Sequence, residues 1–293
     1  MLAMNSINWT PPRVGDRGTL EMKSLRSGLI ALSATMVSGA ALAADIPPRT
    51  VAPAYAAPAV RPYDIVIELG GGAQYAPAYE GASKYEFTAI PFAELHYLWL
   101  PGLGTVKQER LTQGFKIGPS FRYISKRDSS DYPQLFGLSN VDSAYEIGGE
   151  VGYRFGAWSV FANLRQGFGG HDGLVGEAGI DYTFKPSQIT EVSIGPRLNS
   201  ANASYLPTYL GVTAAESIRS GLRAYEPGGG IRSYGFEVSG RYELTEVWTL
   251  VGSLGYDRLT GDAADSPIAQ VGDIDQWTAK LGLTYKFAWK IFN

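Results

Sequence analysis

The chain has 293 residues, 45% of them hydrophobic and none of them cysteine. A chain of this size can build one domain or close one medium-sized β-barrel, and the lack of cysteine excludes disulfides, thiolate metal sites and a cysteine nucleophile. The formal net charge is −3 at pH 7 and the basic residues are scattered, which argues against a nucleic acid as partner.

The N-terminal region has the pattern of an export signal. A basic segment precedes the apolar run of residues 28–44, which carries a small-x-small pattern that ends at Ala43 and predicts cleavage there. An uncleaved anchor is the less favoured alternative, because the run is only marginally long enough to span a bilayer. Met22 is the expected start, so that residues 1–21 are an over-extended start and residues 22–43 the signal peptide.

Two further regions follow the predicted cleavage site. Residues 44–62 are almost all alanine, proline and valine, a composition that favours extended conformers and cannot build a core, so we expect a flexible periplasmic lead. From Tyr63 the chain changes to segments of about ten residues that alternate apolar with polar side chains. Residues 63–293 are therefore the expected folded domain.

Alternation of this kind predicts β-strands with one apolar and one polar face. In residues 142–155 the apolar side chains fall on one face, and Glu146, Glu150 and Arg154 fall on the other. In the next segment, Arg165 lies on the corresponding polar face. Ten such segments are predicted: residues 64–73, 85–97, 115–125, 142–155, 158–168, 174–184, 189–202, 231–244, 247–259 and 276–287.

The connections between these segments indicate a membrane barrel. Tight connections occur at residues 156–157, 185–188 and 245–246, and long polar ones at residues 126–141, 203–230 and 260–275. Short periplasmic turns and long external loops are the outer-membrane pattern, whereas a soluble β-sandwich would not sort its loops in this way. The prediction is an all-β, transmembrane, antiparallel up-and-down outer-membrane β-barrel of about 10–12 strands.

Residues 98–113 leave the strand count open. They form either a long periplasmic connection, which gives ten strands, or, if residues 85–97 are split, part of two further short strands, which gives twelve. In either case the interior is narrow, and inward Glu and Arg side chains could pair across it and close it to large solutes.

Two histidines are the candidates for chemistry. His171 could act as a base, with the adjacent carboxylate of Asp172, for a serine nucleophile, but no Gly-x-Ser-x-Gly elbow is present and a polar glycine-rich turn is the favoured interpretation. His96 alternates with Glu94 on the polar face of a strand, which suits a lumen hydrogen bond better than a metal site.

The long loops carry three weaker motifs. The last loop contains five aspartates that could hold calcium, although their spacing matches no known ligand loop and solvation is the favoured interpretation; they are Asp257, Asp262, Asp265, Asp273 and Asp275. Thr213 and Glu216 have the capping-box spacing and predict a short helix. The glycine run 228–230 precedes a strand and is read as a loop hinge. We expect no catalytic, cofactor-binding or metal site.

Four segments resemble the MipA/OmpV family of outer-membrane proteins, named for an MltA-interacting protein. They are YAPAYEGASKY (75–85), RQGFGGHDGLVGEAGIDY (165–182), TYLGVTAAESIRSGLRAYEPGGG (208–230) and GDAADSPIAQ (261–270). The resemblance runs from about Tyr63 to Phe287 and implies a barrel in the cell outer membrane. Asp172 and residues 213–221 match the family pattern without an assigned role, whereas residues 288–293 depart from it by extending past the expected terminal aromatic residue.

The resemblance implies a non-enzymatic scaffold that brings a lytic transglycosylase together with a penicillin-binding synthase, in contact with outer-membrane lipid and lipopolysaccharide. A narrow channel or a surface binding or adhesion protein is the alternative, since the predicted inner face is charged. A hydrolase or acyltransferase that uses His171 is the third hypothesis, and it lacks a supporting motif.

Overall fold

The computed structural model describes residues 62–107 and 111–292, so the predicted start, signal peptide and most of the lead lie outside the described residues. One sheet of eleven strands dominates the described part. The strands are β1 (Ile65–Pro77), β2 (Tyr85–Leu100), β3 (Gly104–Lys107), β4 (Gly114–Ile124), β5 (Ala144–Phe155), β6 (Trp158–Gly169), β7 (Leu174–Ser187), β8 (Thr190–Ala201), β9 (Gly230–Glu243), β10 (Trp248–Leu259) and β11 (Asp275–Trp289).

The sheet is antiparallel and has the order β3-β2-β1-β11-β10-β9-β8-β7-β6-β5-β4. β1 pairs with β11, beginning with Ile65 opposite Trp289, so the first and last strands lie side by side. The sheet curls around a lumen, because Arg241 on β9 bonds Glu94 on β2 although three strands separate them in the sheet order. The predicted all-β, antiparallel up-and-down barrel is therefore confirmed.

The number of strands lies within the predicted range, but neither predicted arrangement of residues 98–113 is right. β2 is not split; its ladder with β1 continues to Leu98, which lies opposite Ile65, and the strand ends at Leu100. The chain then turns at Gly102, whose φ is 82°, and returns as the four-residue strand β3. A strand this short is below the length at which alternation can be recognised.

Aromatic side chains on the outer face form two belts. At the end with the short turns they include the pairs Phe115–Tyr153, Trp158–Tyr182 and Trp248–Tyr285, with ring centroids 4.9, 5.0 and 4.9 Å apart. At the end with the long loops they include Tyr75–Phe87, Tyr123–Tyr145 and Tyr256–Trp277, at 4.7, 5.3 and 4.9 Å. Such belts mark the two interfaces of an outer-membrane barrel, so the short turns face the periplasm and the long loops face outward.

On the inner face of the sheet, glycine occupies positions where an aromatic or imidazole ring packs directly against the backbone. A Cβ on Gly167 would lie 2.1 Å from Cε1 of His171, and a Cβ on Gly282 would lie 2.3 Å from Cε2 of Phe92. Contacts this short leave room for no larger residue, and glycine within a strand commonly marks such a close approach.

The external loops fold into a compact cap, which we define as residues 78–84, 125–143, 202–229 and 260–274. The cap contains α1 (Leu206–Leu210), α2 (Ala214–Ser220) and α3 (Pro267–Val271), and 3₁₀ turns at Ser129–Asp131, Pro133–Leu135 and Gly261–Ala263. Buried apolar side chains from all four loops, among them Leu135, Leu210 and Ile268, form its core. The loops are thus as long as predicted. They are less polar than predicted, because their apolar residues pack together.

α2 begins with the predicted capping box. Thr213 Oγ1 accepts from the Glu216 amide at 3.2 Å, and Glu216 Oε2 accepts from the Thr213 amide at 2.9 Å. The prediction of a short helix here is confirmed, and Gly221 ends it with φ 77°. No helix in the described part of the chain is long and apolar enough to cross a membrane.

Candidate functional site

Charged side chains meet across the lumen near its periplasmic end. Arg241 bonds both Glu68 and Glu94, and its Nη1 lies 3.3 Å from Glu94 Oε2. His96 belongs to the same cluster, with its Nε2 2.8 Å from Glu68 Oε2. His96 therefore faces the lumen beside a carboxylate, a contact that favours the hydrogen-bonding interpretation over metal binding.

A second cluster lies beneath the cap. Arg165 Nε donates to Glu146 Oε2 at 3.1 Å and its Nη1 donates to Ser120 Oγ at 3.0 Å. The Arg165 and Glu146 side chains are only 6% and 0% exposed. In the middle of the lumen, Arg197 bonds Asp181 at 2.8 Å. The predicted pairing of inward Glu and Arg residues is observed, and the exclusion of large solutes stays a prediction.

His171 is buried between two tyrosines of the cap. Its ring centroid lies 4.9 Å from that of Tyr205 and 5.5 Å from that of Tyr209. Nδ1 accepts a hydrogen bond from the Gly173 amide at 3.0 Å, and Nε2 lies 3.5 Å from Glu146 Oε1. Desolvation by burial lowers the pKa of His171, although the Glu146 carboxylate opposes this shift, so the imidazole is neutral at pH 7.

The arrangement around His171 differs from the catalytic interpretation. Asp172, the carboxylate proposed to orient a catalytic base, is exposed, and the carboxylate that faces the ring is Glu146. His171 lies in the glycine-rich connection between β6 and β7, and its side chain is 0% exposed. What the structure brings together is a neutral imidazole, two phenol rings and a buried ion pair.

The aspartates of the last loop turn to different partners. Asp262 accepts from the Gly228 amide at 2.6 Å, which docks the glycine run onto the loop, and Asp275 accepts from Arg258 at 2.6 Å. Asp257 accepts from Asn199 at 3.0 Å. Within the described residues no group of three or more His, Asp or Glu side chains could hold a metal ion.

The two ends of the described chain meet at the periplasmic end of the barrel. The buried carboxylate of Asp64 accepts from the amides of Ile291 and Phe292, both at 2.7 Å, and the Trp99 amide donates to the Asp64 carbonyl at 2.7 Å. The Trp99 and Phe292 rings lie 6.0 Å apart. The C-terminal extension that departs from the family pattern is therefore built into the barrel end.

Apolar side chains project from this end, which we call the periplasmic rim (residues 63–64, 97–105 and 289–292). Leu103, in the β2–β3 turn, is 75% exposed, and Ile291 is 61% exposed. Leu103 lies past the last residue of β2 and Ile291 past the last residue of β11. An apolar patch at a membrane-protein end is a candidate protein-binding surface.

Sequence reasoning did not identify the periplasmic rim. The available signal was a pair of apolar clusters just past the predicted strand ends, one around Trp99 and Leu103 and one around Ile291. Their proximity depends on the pairing of both β2 and β11 with β1, which no local pattern specifies.

Comparison with known proteins identifies relatives of this chain. A family model described as "MltA-interacting protein MipA" matches residues 69–287. Two relatives named "MltA-interacting protein", from Escherichia coli (strain K12) and Shigella flexneri, are each 30% identical over 173 residues. The alignment covers 56% of this chain and 65% of either relative, so the chain spans less than two thirds of their length.

Solved structures with a similar course of strands are outer-membrane proteins. They include the NanC porin, with TM-score 0.35, 8% identity and coverage of 76% of this chain and 100% of that one. Another is OprG from Pseudomonas aeruginosa, with TM-score 0.29, 12% identity and coverage of 77% and 97%. These scores are too low to carry an argument. The family match and the belted, membrane-spanning sheet confirm the predicted location in the cell outer membrane.

Proposed function

Because the chain belongs to the MltA-interacting protein MipA family, we propose that it is a non-enzymatic outer-membrane scaffold that binds a lytic transglycosylase in the periplasm. The family match over residues 69–287 is the observation that carries this proposal. In its finer form, the scaffold brings that enzyme together with a penicillin-binding peptidoglycan synthase.

The periplasmic rim is the proposed binding surface. It combines exposed apolar side chains with a backbone held by the Asp64 carboxylate, and a preorganised apolar patch loses little conformational entropy on binding. The other periplasmic turns are short, as at Gly156, which begins the β5–β6 connection. The rim brings together three segments of the chain, whereas a described connection such as β5–β6 is a single short turn.

The arrangement around His171 supports a non-enzymatic role. A general base must reach the proton that it removes, whereas the His171 side chain is enclosed by Tyr205, Tyr209 and Glu146. The third hypothesis, a hydrolase or acyltransferase, gains no support from this geometry.

Binding to a purified lytic transglycosylase tests the scaffold. We expect the detergent-solubilised wild-type barrel to bind the enzyme, and Leu103→Asp or Ile291→Asp to weaken binding because each places a charge on the apolar rim. Ile218→Asp is the matched control, since Ile218 is 86% exposed on the opposite end of the molecule. No binding by the wild type contradicts the scaffold, and unchanged binding by both rim variants contradicts the rim. Addition of the synthase then tests for a ternary complex.

A second candidate, surface binding, is favoured by one feature of the cap. Phe136 and Ile218 are 74% and 86% exposed, and their loops are joined by a 3.0 Å hydrogen bond from Arg219 to the Gly137 carbonyl. An adhesion role predicts that Phe136→Asp reduces attachment of whole cells to a host or abiotic surface while transglycosylase binding is retained.

A further inference from the structure

Within the described residues, the sheet ends at β4 on one side and at β2 with the short β3 on the other. β2 pairs with β1 along one side and with β3 only at Leu98–Leu100 on the other, and β4 pairs with β5 alone. Among the described residues no ladder joins β2 to β4. We call the backbone edges of residues 85–97 and 114–124 that face away from β1 and β5 the seam.

Pro91 in β2 lacks a backbone N–H on the side of the strand that faces the seam. In an antiparallel ladder, successive residues direct their backbone groups to alternate sides. The Lys84 carbonyl accepts from the Ala78 amide, so Lys84 faces β1, and the ladder runs without a bulge from there past Pro91. Pro91 lies an odd number of residues from Lys84 and therefore faces away from β1.

The same reasoning applies to the other edge. The Ser143 carbonyl accepts from the Gly170 amide, so the odd-numbered residues of β5, including Gly149, face β6. Gly149 lies opposite Pro119, so Pro119 also faces away from its paired strand. Each edge of the seam thus lacks an N–H donor near mid-membrane, where an unpaired donor is costly.

Proline behaves differently within the paired part of the sheet. Pro196 lies in β8, and the ladder between β7 and β8 has no pairs between Gly179–Arg197 and Tyr182–Ile194. Proline is otherwise confined to edge strands. Pro91 and Pro119 therefore mark β2 and β4 as edges by sequence as well as by pairing.

The two walls of the seam differ in polarity. The outward side chains along the seam are apolar and strongly exposed. Phe87 is 79% exposed, Phe115 76% and Phe121 60%, against 47% for Trp158 in the paired sheet. The inner wall carries mixed charge around an apolar centre on β2; its side chains are Glu86, Ile90, Phe92, Glu94 and His96 on β2 and Lys116, Ser120 and Arg122 on β4. The seam therefore joins an apolar exterior to a lumen wall of mixed charge.

A latch holds the external end of the seam. The Tyr132 hydroxyl, on the β4–β5 loop, donates to Glu86 Oε2 on β2 at 3.2 Å, and the Tyr132 ring packs on Tyr79 with centroids 5.1 Å apart. Lys84 lies over the Tyr132 ring at 5.0 Å. At the periplasmic end, β3 lies against β4. The stretch without a ladder between β2 and β4 is thus bounded at both ends by contacts.

We propose that the seam is a lateral entrance through which single-chain amphiphiles reach the lumen from the outer-membrane lipid. The polar head enters the mixed-charge inner wall, while the apolar chain remains among Phe87, Phe115 and Phe121. The prolines on both edges prevent continuous backbone hydrogen bonding between β2 and β4. The Tyr132–Glu86 latch determines how readily the two strands separate. This inference is independent of the scaffold role.

Cysteine labelling tests the entrance on a chain that has no cysteine of its own. Gly118→Cys places a thiol on the inner wall beside the seam, and Ser253→Cys places one on the inner wall of β10. The probe is a long-chain N-alkyl maleimide, itself a single-chain amphiphile, applied to proteoliposomes beside a charged, membrane-impermeant maleimide. We expect the alkyl probe to label position 118 severalfold faster than position 253.

Two further variants manipulate the seam. Tyr132→Phe removes the latch hydrogen bond and should speed alkyl labelling at position 118 but not at position 253. Pro91→Val with Pro119→Val restores one donor to each edge and should slow it. The proposal would be overturned by any of three results. These are equal alkyl labelling at both positions, labelling of position 118 by the charged probe alone, and labelling rates that neither variant changes.

Discussion

Arg165→Met should destabilise the barrel strongly, because it removes the cation that hydrogen-bonds the buried Glu146 carboxylate. The Arg165 Nε to Glu146 Oε2 distance is 3.1 Å, and the two side chains are 6% and 0% exposed. Removal of one partner of a buried pair costs about 3–5 kcal/mol, whereas replacement of both partners by uncharged residues is often nearly neutral. We therefore expect a loss of about 3–5 kcal/mol for Arg165→Met and recovery of most of it in Arg165→Met with Glu146→Gln.

The assay is reversible urea unfolding in lipid vesicles, with heat modifiability on SDS gels as a check that the barrel forms. Arg258→Met is the matched control: it breaks the Arg258–Asp275 pair, 2.6 Å apart but 40% and 37% exposed, and an exposed pair contributes about 0–1 kcal/mol. Wild-type stability in Arg165→Met, or a double variant as unstable as the single one, would refute the reasoning.

Three other outcomes follow from the cap and its neighbours. Gly167→Ala should cost about 1–3 kcal/mol by overpacking, since its Cβ would lie 2.1 Å from His171 Cε1; Gly71→Ala, with no atom within 4 Å, is the control in urea unfolding. Burial lowers the pKa of His171 in the folded state. The contribution of neutral His171 to the free energy of unfolding is therefore complete above about pH 6.5 and falls as the pH drops toward the lower folded pKa. In His171→Gln, the free energy of unfolding should depend less on pH in that range. Burial opposes ionisation of Glu216, but hydrogen bonds from Ser139 and Thr213 lower its pKa from 4.5 to about 2, so stability is lost between those values and Glu216→Gln should not show this loss.

Local patterns in the sequence were sufficient for the long strands and for α2. Alternation marks a strand wherever one face meets lipid and the other the lumen, and the capping box at Thr213 and Glu216 is a contact within one helical turn. β3 could not be predicted in the same way, because four residues carry too little alternation and the strand exists only through pairing with β2.

The interior of the cap depends on contacts between distant loops. Leu135, Leu210 and Ile268 come from three different loops, so the contacts among these loops are not local in the sequence. The burial of His171 likewise requires Tyr205 and Tyr209 from another loop. No periodicity encodes such contacts, so the loops were expected to be polar and His171 to lie in a polar glycine-rich turn.

The Asp64 carboxylate has a consequence for the order of folding. Its hydrogen bonds join positions 227 and 228 residues apart, and contacts of such high sequence separation carry the largest loop-closure cost and form late. The hairpins from β4 to β10 can form from local segments, whereas the β1–β11 junction must wait until β11 has been exported. A chain truncated after Trp289 would lose two hydrogen bonds to Asp64, and we expect it to accumulate as an assembly intermediate with its hairpins formed and this junction open.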